Sequence, residues 1–258
     1  MEEEQKKVIV SKLIETFDHA GKVALDLRKV GLKKEIKDDN TPVTNGDIEV
    51  NNILIKKITE LTPQIKIISE ENIKNKSDNE LKNFWLIDPI DGTREYINNR
   101  DEFTLNAALI INKNPVIGLI NAPAKKRMFY SYSFMNSYEI FENKKINLFD
   151  RKNYNKVMKG ISYSDQIKPN NLDIYKKFKI SNFKKMKSSL KFCMLATCEF
   201  DFYAAEARAY EWDIAAGHAI VEHAGGKITD FNENKILYGK EDFKNSSIIV
   251  KSKRFING

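Results

Sequence analysis

At 258 residues, 41% hydrophobic and 31% charged, the chain has the size and composition of an ordinary globular protein of one large domain or two modest ones, which argues against disorder. Its apolar runs, such as Ala107 to Ile111 and Ile117 to Ile120, are too short to cross a bilayer, and no apolar signal-peptide core follows the acidic Met1-Glu2-Glu3-Glu4. The net charge of +7 is concentrated between Arg151 and Lys191, where twelve Lys or Arg face only Asp165 and Asp173, so the rest of the chain is net negative.

The first thirty residues read as a helix: Ile9, Leu13, Phe17, Ala20 and Ala24 recur at three-to-four spacing, and Gly31 is a stop. A polar stretch, Lys33 to Asn40, leads into Thr41-Pro42-Val43-Thr44, and Ile48 to Leu61 is a second amphipathic helix that ends before Pro63. Ile65 to Ser69 and Phe84 to Ile87 read as short buried strands. Thr104 to Ile111, Val116 to Asn121, Arg127 to Ser133 and Tyr138 to Phe141 read as successive antiparallel strands. The texture then changes to alternating elements. Val157 to Ile161, Phe183 to Met186, Phe200 to Ala204, Ile228 to Thr229 and Ser247 to Val250 are expected as strands. Leu172 to Phe178, Ser189 to Ala196 and Asp213 to Ala224 are expected as helices, the last closed by Gly225-Gly226. The expected division is residues 1–150 and 151–258, with the boundary near 145–155.

Several features take structural readings. Cys193 and Cys198 lack Cys-x-x-Cys spacing and are expected as core thiols in a reducing cytoplasm. His218 and His223 fit no zinc spacing, and Phe129, Tyr130, Tyr132 and Phe134 are expected in the sheet core. The basic stretch suits a solvated lysine face, a membrane surface, nucleic acid or a small polyanion. Lys outnumbers Arg 36 to 7, which disfavours nucleic acid, because phosphate and base readers favour the guanidinium fork.

The informative segment is Trp85-Leu86-Ile87-Asp88-Pro89-Ile90-Asp91-Gly92-Thr93. An apolar strand runs into two carboxylates three residues apart, Pro89 stiffens the path, and Gly92 permits a tight turn into a helix at Arg94-Glu95-Tyr96-Ile97. The amides of Gly92 and Thr93 then face outward as an anion site beside carboxylates, an arrangement that repels the anion unless cations stand between them. Hard oxygen ligands of this kind suit Mg²⁺. Glu70 and Glu71 end the preceding strand, Asp213 opens a helix of small residues, and Asp47 stands at the mouth of the second helix. Asp47, Asp91 or Asp213 alone reads as a helix N-cap. Together with the Asp88–Thr93 segment, they read as a site.

Asp88-Pro89-Ile90-Asp91-Gly92-Thr93, preceded by Glu70-Glu71 and followed by Trp212-Asp213-Ile214-Ala215-Ala216-Gly217, resembles the inositol monophosphatase superfamily of Mg²⁺-dependent, lithium-sensitive phosphatases. Thr41-Pro42-Val43-Thr44, Arg94-Glu95-Tyr96-Ile97, Glu102-Phe103-Thr104-Leu105-Asn106 and Ser188-Ser189-Leu190-Lys191-Phe192-Cys193 are most similar to its branch of CysQ-type 3'(2'),5'-bisphosphate nucleotidases. Lys187 replaces that branch's glycine. Its Tyr-Pro-Arg is Tyr203-Ala204-Ala205 here, so the arginine is missing. Glu206 falls where inositol phosphatases carry a glutamate for sugar hydroxyls, and Arg208 is a nearby cation.

The resemblance implies an α+β fold, a layered αβαβα sandwich of the inositol monophosphatase and fructose-1,6-bisphosphatase type. It implies two or three Mg²⁺ ions, one held by Glu70, Asp88 and the Ile90 carbonyl and a second by Asp88, Asp91 and Asp213. Thr93, oriented by Asp47, would polarise the attacking water, with Glu70 also catalytic and Glu71 behind it. Gly92, Thr93, Ser188, Ser189, Lys191, Glu206 and Arg208 would bind substrate, with Lys187 as a further cation. The expected reaction removes the 3'-phosphate of adenosine 3',5'-bisphosphate in the cytoplasm, with a peripheral place at the inner membrane left open. A homodimer is what the superfamily suggests. The rival readings are an inositol monophosphatase and a non-catalytic anion- or RNA-binding module.

Overall fold

The computed structural model describes residues 1–37, 40–72, 81–152 and 157–257. Its layers follow from which residues of each strand are apolar. Glu3–Val30 forms α1 and buries Ile9, Val10, Leu13, Phe17, Ala20 and Ala24 on one stripe. Lys34–Ile36 (β1) pairs antiparallel with Pro42–Thr44 (β2), and Asn45–Leu61 (α2) buries Val50, Leu54 and Ile58. Lys66–Ser69 (β3), Phe84–Asp91 (β4), Thr104–Ile111 (β5), Asn114–Ala122 (β6), Arg127–Ser133 (β7), Asn136–Phe141 (β8) and Lys144–Asn147 (β9) make a sheet in chain order. Only β3 and β4 are parallel; the later neighbours are antiparallel. Short α3 (Thr93–Ile97) joins β4 towards β5.

The remaining elements are β10 (Gly160–Ser162), α4 (Pro169–Lys177), β11 (Phe183–Lys185), α5 (Leu190–Ala196), β12 (Phe202–Ala205), α6 (Glu211–His223), β13 (Lys227–Thr229), β14 (Ile248–Lys251) and α7 (Lys253–Asn257). Their strands form a second sheet in the order β11-β10-β12-β14-β13.

Side chains alternate across a strand, and that alternation sorts the layers. In the first sheet Trp85, Ile87, Leu105, Ala107, Leu109 and Leu119 pack with the apolar stripes of α1 and α2. Phe84, Leu86, Ala108, Ile110 and Ile120 belong instead to the central core with α5 and α6. In the second sheet Tyr203, Ala205, Ile248 and Val250 join that same core, whereas Phe202, Ala204 and Ile249 pack with Tyr175 of α4 and Phe255 of α7. Helices, sheet, helices, sheet, helices is therefore the order of layers, the expected α+β sandwich. α6 lies in the middle with Trp212 and all of Ile214 to Val221 buried. Its approach to β6 is close: a Cβ on Gly118 would lie 2.3 Å from the carbonyl oxygen of Ala216.

Most elements fall where the pattern places them, with differences at the edges. The polar stretch from Lys33 holds β1, whose residues are all exposed and carry no apolar period. β9 and α7 were not expected, being short and Lys-rich. The strand expected at Val157 to Ile161 begins only at Gly160, and α4 starts earlier than Leu172 because Pro169 opens its first turn. Phe134 is 62% exposed and not core, while Phe129, Tyr130 and Tyr132 are buried as expected. Residues 153–156, within the expected boundary, lie outside the described residues. Cys193 and Cys198 are free and buried.

Several cations of the basic stretch are paired. Arg151 reaches one Glu139 oxygen at 2.8 Å, while Arg127, outside the stretch, donates from Nε to the other at 2.5 Å and from its terminal nitrogen to Glu199 at 2.7 Å. Lys168 meets Glu206 at 3.4 Å, Lys177 meets Glu233 at 3.7 Å, and Lys185 pairs with Asp165. Among the described residues no helix is long and apolar enough to cross a membrane.

Candidate active site

The parallel register pairs Ser69 with Ile87, so Glu70 leaves β3 beside Asp88. The Glu70 amide still donates to the Ile87 carbonyl at 3.1 Å, which fixes that neighbourhood. β4 pairs regularly with β5 up to Asp88, opposite Asn106, and then slips before Asp91, opposite Thr104. Pro89 cannot donate to the ladder, and such an irregularity re-aims the strand end. Gly92 follows with φ of 91°, a conformation that strains other residues, and a Cβ there would lie 3.0 Å from the Glu102 carbonyl oxygen. Asp213 arrives from the first turn of α6.

One oxygen each of Glu70, Asp88 and Asp213 lies within 4.8 Å of the others. Asp88 is 1% exposed, and its Oδ1 is buried without a hydrogen-bond partner. Asp91 lines the same cavity, and its Oδ2 accepts a hydrogen bond from Ser189 Oγ at 2.7 Å. Burial and the neighbouring carboxylates push Asp213 up to about 8 and hold Asp88 well above the carboxylate range. Burial likewise pushes Glu70 up to about 7, with the Lys37 ammonium working against it. A buried, unpartnered carboxylate oxygen among mutually repelling acids is what a hard divalent cation would satisfy, so the donor set fits Mg²⁺.

Ordinary carboxyls titrate near about 4, so above that pH the cation-free folded chain binds more protons than the unfolded one, and its stability falls as pH rises towards about 8. Below about pH 6.5 half-buried His223, lowered to about 4 by desolvation and then by Lys6, acts in the opposite sense. In chelator, thermal unfolding is therefore expected at a lower temperature at about pH 8 than at about pH 6.5, the difference closing when Mg²⁺ is added. A midpoint in chelator that does not change over this range would count against the buried acid cluster.

Asp47 turns out to be both cap and site residue. Its Oδ2 accepts from the Thr44 amide at 2.8 Å and the Thr44 hydroxyl at 2.6 Å, closing the N-terminus of α2. Its Oδ1 lies 3.2 Å from Thr93 Oγ1, which is also 3.1 Å from the Ile90 carbonyl oxygen. Burial pushes Asp47 up to about 6.

A cavity of 460 Å³ opens in front of these groups. Glu70, Asp88, Ile90, Asp91 and Asp213 line it, with Gly92 and Thr93. Lys187, Ser188, Lys191, Glu206 and Arg208 line it as well. Lys191 is 8% exposed; its ammonium donates to the Ser188 carbonyl and sits 5.6 Å from the Tyr203 ring centre. Glu206 is held by Asn170 at 2.7 Å and Lys168 at 3.4 Å. Ser189, expected against substrate, is buried and turned inward. Its hydroxyl lies between Asp91 and the Asp213 carbonyl oxygen, 2.6 Å from the latter, and receives Asn106 Nδ2 at 3.0 Å. It thereby ties together two of the elements that bear carboxylates.

Sequence reasoning missed Lys37, whose ammonium meets Glu71 at 2.8 Å and Glu70 at 3.3 Å. It lies in the stretch with no periodicity, and only the β1–β2 hairpin carries it to the acids. Glu71, expected behind Glu70, acts by holding this lysine. Asn106, in Glu102-Phe103-Thr104-Leu105-Asn106, stands opposite Asp88 in the β4–β5 register.

The fold and this carboxylate-lined cavity define a phosphatase of the inositol monophosphatase class. The inositol monophosphatase family matches residues 5–257, and the chain belongs to that family. It is 38% identical over 217 residues to the 3'(2'),5'-bisphosphate nucleotidase CysQ of Buchnera aphidicola subsp. Acyrthosiphon pisum, covering 81% of this chain and 80% of that one. It is 30% identical over 251 residues to the CysQ nucleotidase of Aggregatibacter actinomycetemcomitans, covering 94% and 92%. The crystal structure of CysQ from Bacteroides thetaiotaomicron, a bacterial member of the inositol monophosphatase family, superposes with a TM-score of 0.77 at 26% identity, covering 96% and 98%.

Proposed function

We propose that the chain removes the 3'-phosphate of adenosine 3',5'-bisphosphate, giving AMP and phosphate, in a Mg²⁺-dependent reaction. The observation that carries this reading is the convergence of Glu70, Asp88 and Asp213 in a cavity that Lys187, Lys191 and Arg208 also line. The nucleotidase names of the relatives support the substrate class. Residues 1–150 supply most of the groups for the ions in this reading, and residues 151–258 supply Asp213 and the substrate-facing cations.

Glu70, Asp88 and the Ile90 carbonyl would hold one ion, and Asp88, Asp91 and Asp213 a second. When bound, two or three Mg²⁺ would neutralise phosphoryl charge and lower the pKa of a bound water. Thr93 Oγ1 accepts a hydrogen bond from the attacking water while donating to Asp47, so the water's proton has a path towards Asp47 Oδ1. The Gly92 and Thr93 amides hold phosphoryl oxygens where charge accumulates. Thr93→Ala should lower kcat about 10²-fold with a smaller change in KM, the usual scale for a lost proton-positioning group. Unchanged kcat in steady-state assays would remove Thr93 from the reaction.

The substrate is tested by phosphate release from adenosine 3',5'-bisphosphate and inositol 1-phosphate side by side, each with Mg²⁺, with chelator and with lithium. The expected result is a higher kcat/KM for the nucleotide, lost in chelator and inhibited by lithium. Preference for the inositol ester would overturn the substrate and make Glu206 the specificity residue.

A further inference from the structure

Beside the cations that line the cavity stands an aromatic ring with no part in the proposed reaction. Tyr163 lines the cavity just after β10 and is half-buried. The Arg208 guanidinium carbon stands 4.2 Å from its ring centre, and the Lys187 ammonium stands 5.7 Å from it. Two cations from separate loops thus meet one ring, whose quadrupole attracts them both. Arg208 is itself exposed, and without the ring its long side chain would sweep solvent. Stacking leaves the N–H edges of a guanidinium free, and those edges match a phosphoryl group two at a time.

The acid nearest Arg208 in the chain does not neutralise it. Glu206 is drawn to Lys168 and Asn170, on the α4 side. Arg208 and Lys187 also both oppose the charge on buried Lys191, so the three cations share one field. Asp91 and Asp213 act on Lys191 in the other sense, so the cations and the carboxylates line one cavity, with room in it for a group other than the reacting phosphate.

We propose that Tyr163 is a specificity-determining residue, an aromatic seat that presents Arg208, with Lys187 beside it, to the second phosphoryl group of the substrate. This rests on the bisphosphate reading above and deepens it by naming how a bisphosphate is told from a monoester. Arg208 touches that phosphate; Tyr163 acts through Arg208 as a positioning residue.

The test compares adenosine 3',5'-bisphosphate with adenosine 3'-phosphate, which keeps the reacting group and lacks the second phosphate. Kinetics with Mg²⁺ are measured for the wild-type protein, Tyr163→Leu, Tyr163→Phe, Arg208→Gln and the Tyr163→Leu/Arg208→Gln double variant. Tyr163→Leu should raise KM for the bisphosphate about three- to tenfold more than KM for the monoester, the scale of one cation–π contact. Tyr163→Phe should keep the discrimination, because the ring and not the hydroxyl carries it. Arg208→Gln should lose it, and adding Tyr163→Leu to that variant should change little further. Equal KM changes for both substrates, or additive losses in the double variant, would overturn the assignment. Failure of the underlying reading shows up separately, as a wild-type protein with no preference for the bisphosphate.

Discussion

Asp88→Asn is expected to lower kcat/KM on the order of 10³-fold while raising the unfolding temperature of the protein in chelator. The two effects have one origin. Asp88 is buried, its Oδ1 has no partner, and Glu70, Asp91 and Asp213 all oppose its ionisation. Asparagine keeps the volume and removes the charge, so the folded chain loses a repulsion. It also loses the shared ligand through which both proposed ions are held. Calorimetric Mg²⁺ titration, steady-state kinetics and thermal unfolding on one preparation check the pair. Retained turnover, or a lower midpoint in chelator, would sink the role given to Asp88.

Gly118→Ala should cost about 1–3 kcal/mol of stability, the usual range for forcing one carbon into a packed interior, and should weaken Mg²⁺ binding as well. The added carbon would meet the Ala216 backbone oxygen at 2.3 Å and the Ala219 side chain at 3.0 Å. A backbone carbonyl inside a helix cannot swing away alone, so α6 must shift, and Asp213 travels with it. Urea unfolding and a metal titration read the two losses. A variant with wild-type values in both would mean that β6 and α6 are not in this contact.

The strands and helices were legible from periodicity, but their stacking in layers came only with the family resemblance, because a strand buried on both faces, with Trp85 and Ile87 on one and Phe84 and Leu86 on the other, reads as one continuous apolar run. The acids were legible for a different reason: Asp88 and Asp91 flank a proline and precede a glycine, a grouping that needs an explanation beyond capping. Their convergence with Glu70 required the parallel β3–β4 register, which one sequence suggests and does not fix. Lys37 and Tyr163 carried no local signal. Each is an ordinary residue in a polar stretch and becomes informative only through what lies across from it, the Glu70–Glu71 pair in one case and the Arg208 guanidinium in the other. Ser189 shows the converse, since a match to a motif gave its position and the hydrogen bonds gave its work.

The middle position of α6 has a consequence for how the protein comes apart. Glu70 and Asp88 end two strands of one sheet, while Asp213 stands on a helix clamped between both sheets. Neither sheet on its own holds the full set, so a species in which β4 and α6 separate would lose the proposed cation's affinity. A bound divalent ion would therefore act as a rivet through the stack. It should slow amide exchange in the outermost α1 and in β13 on the far sheet together, rather than protecting the loops around the acids alone.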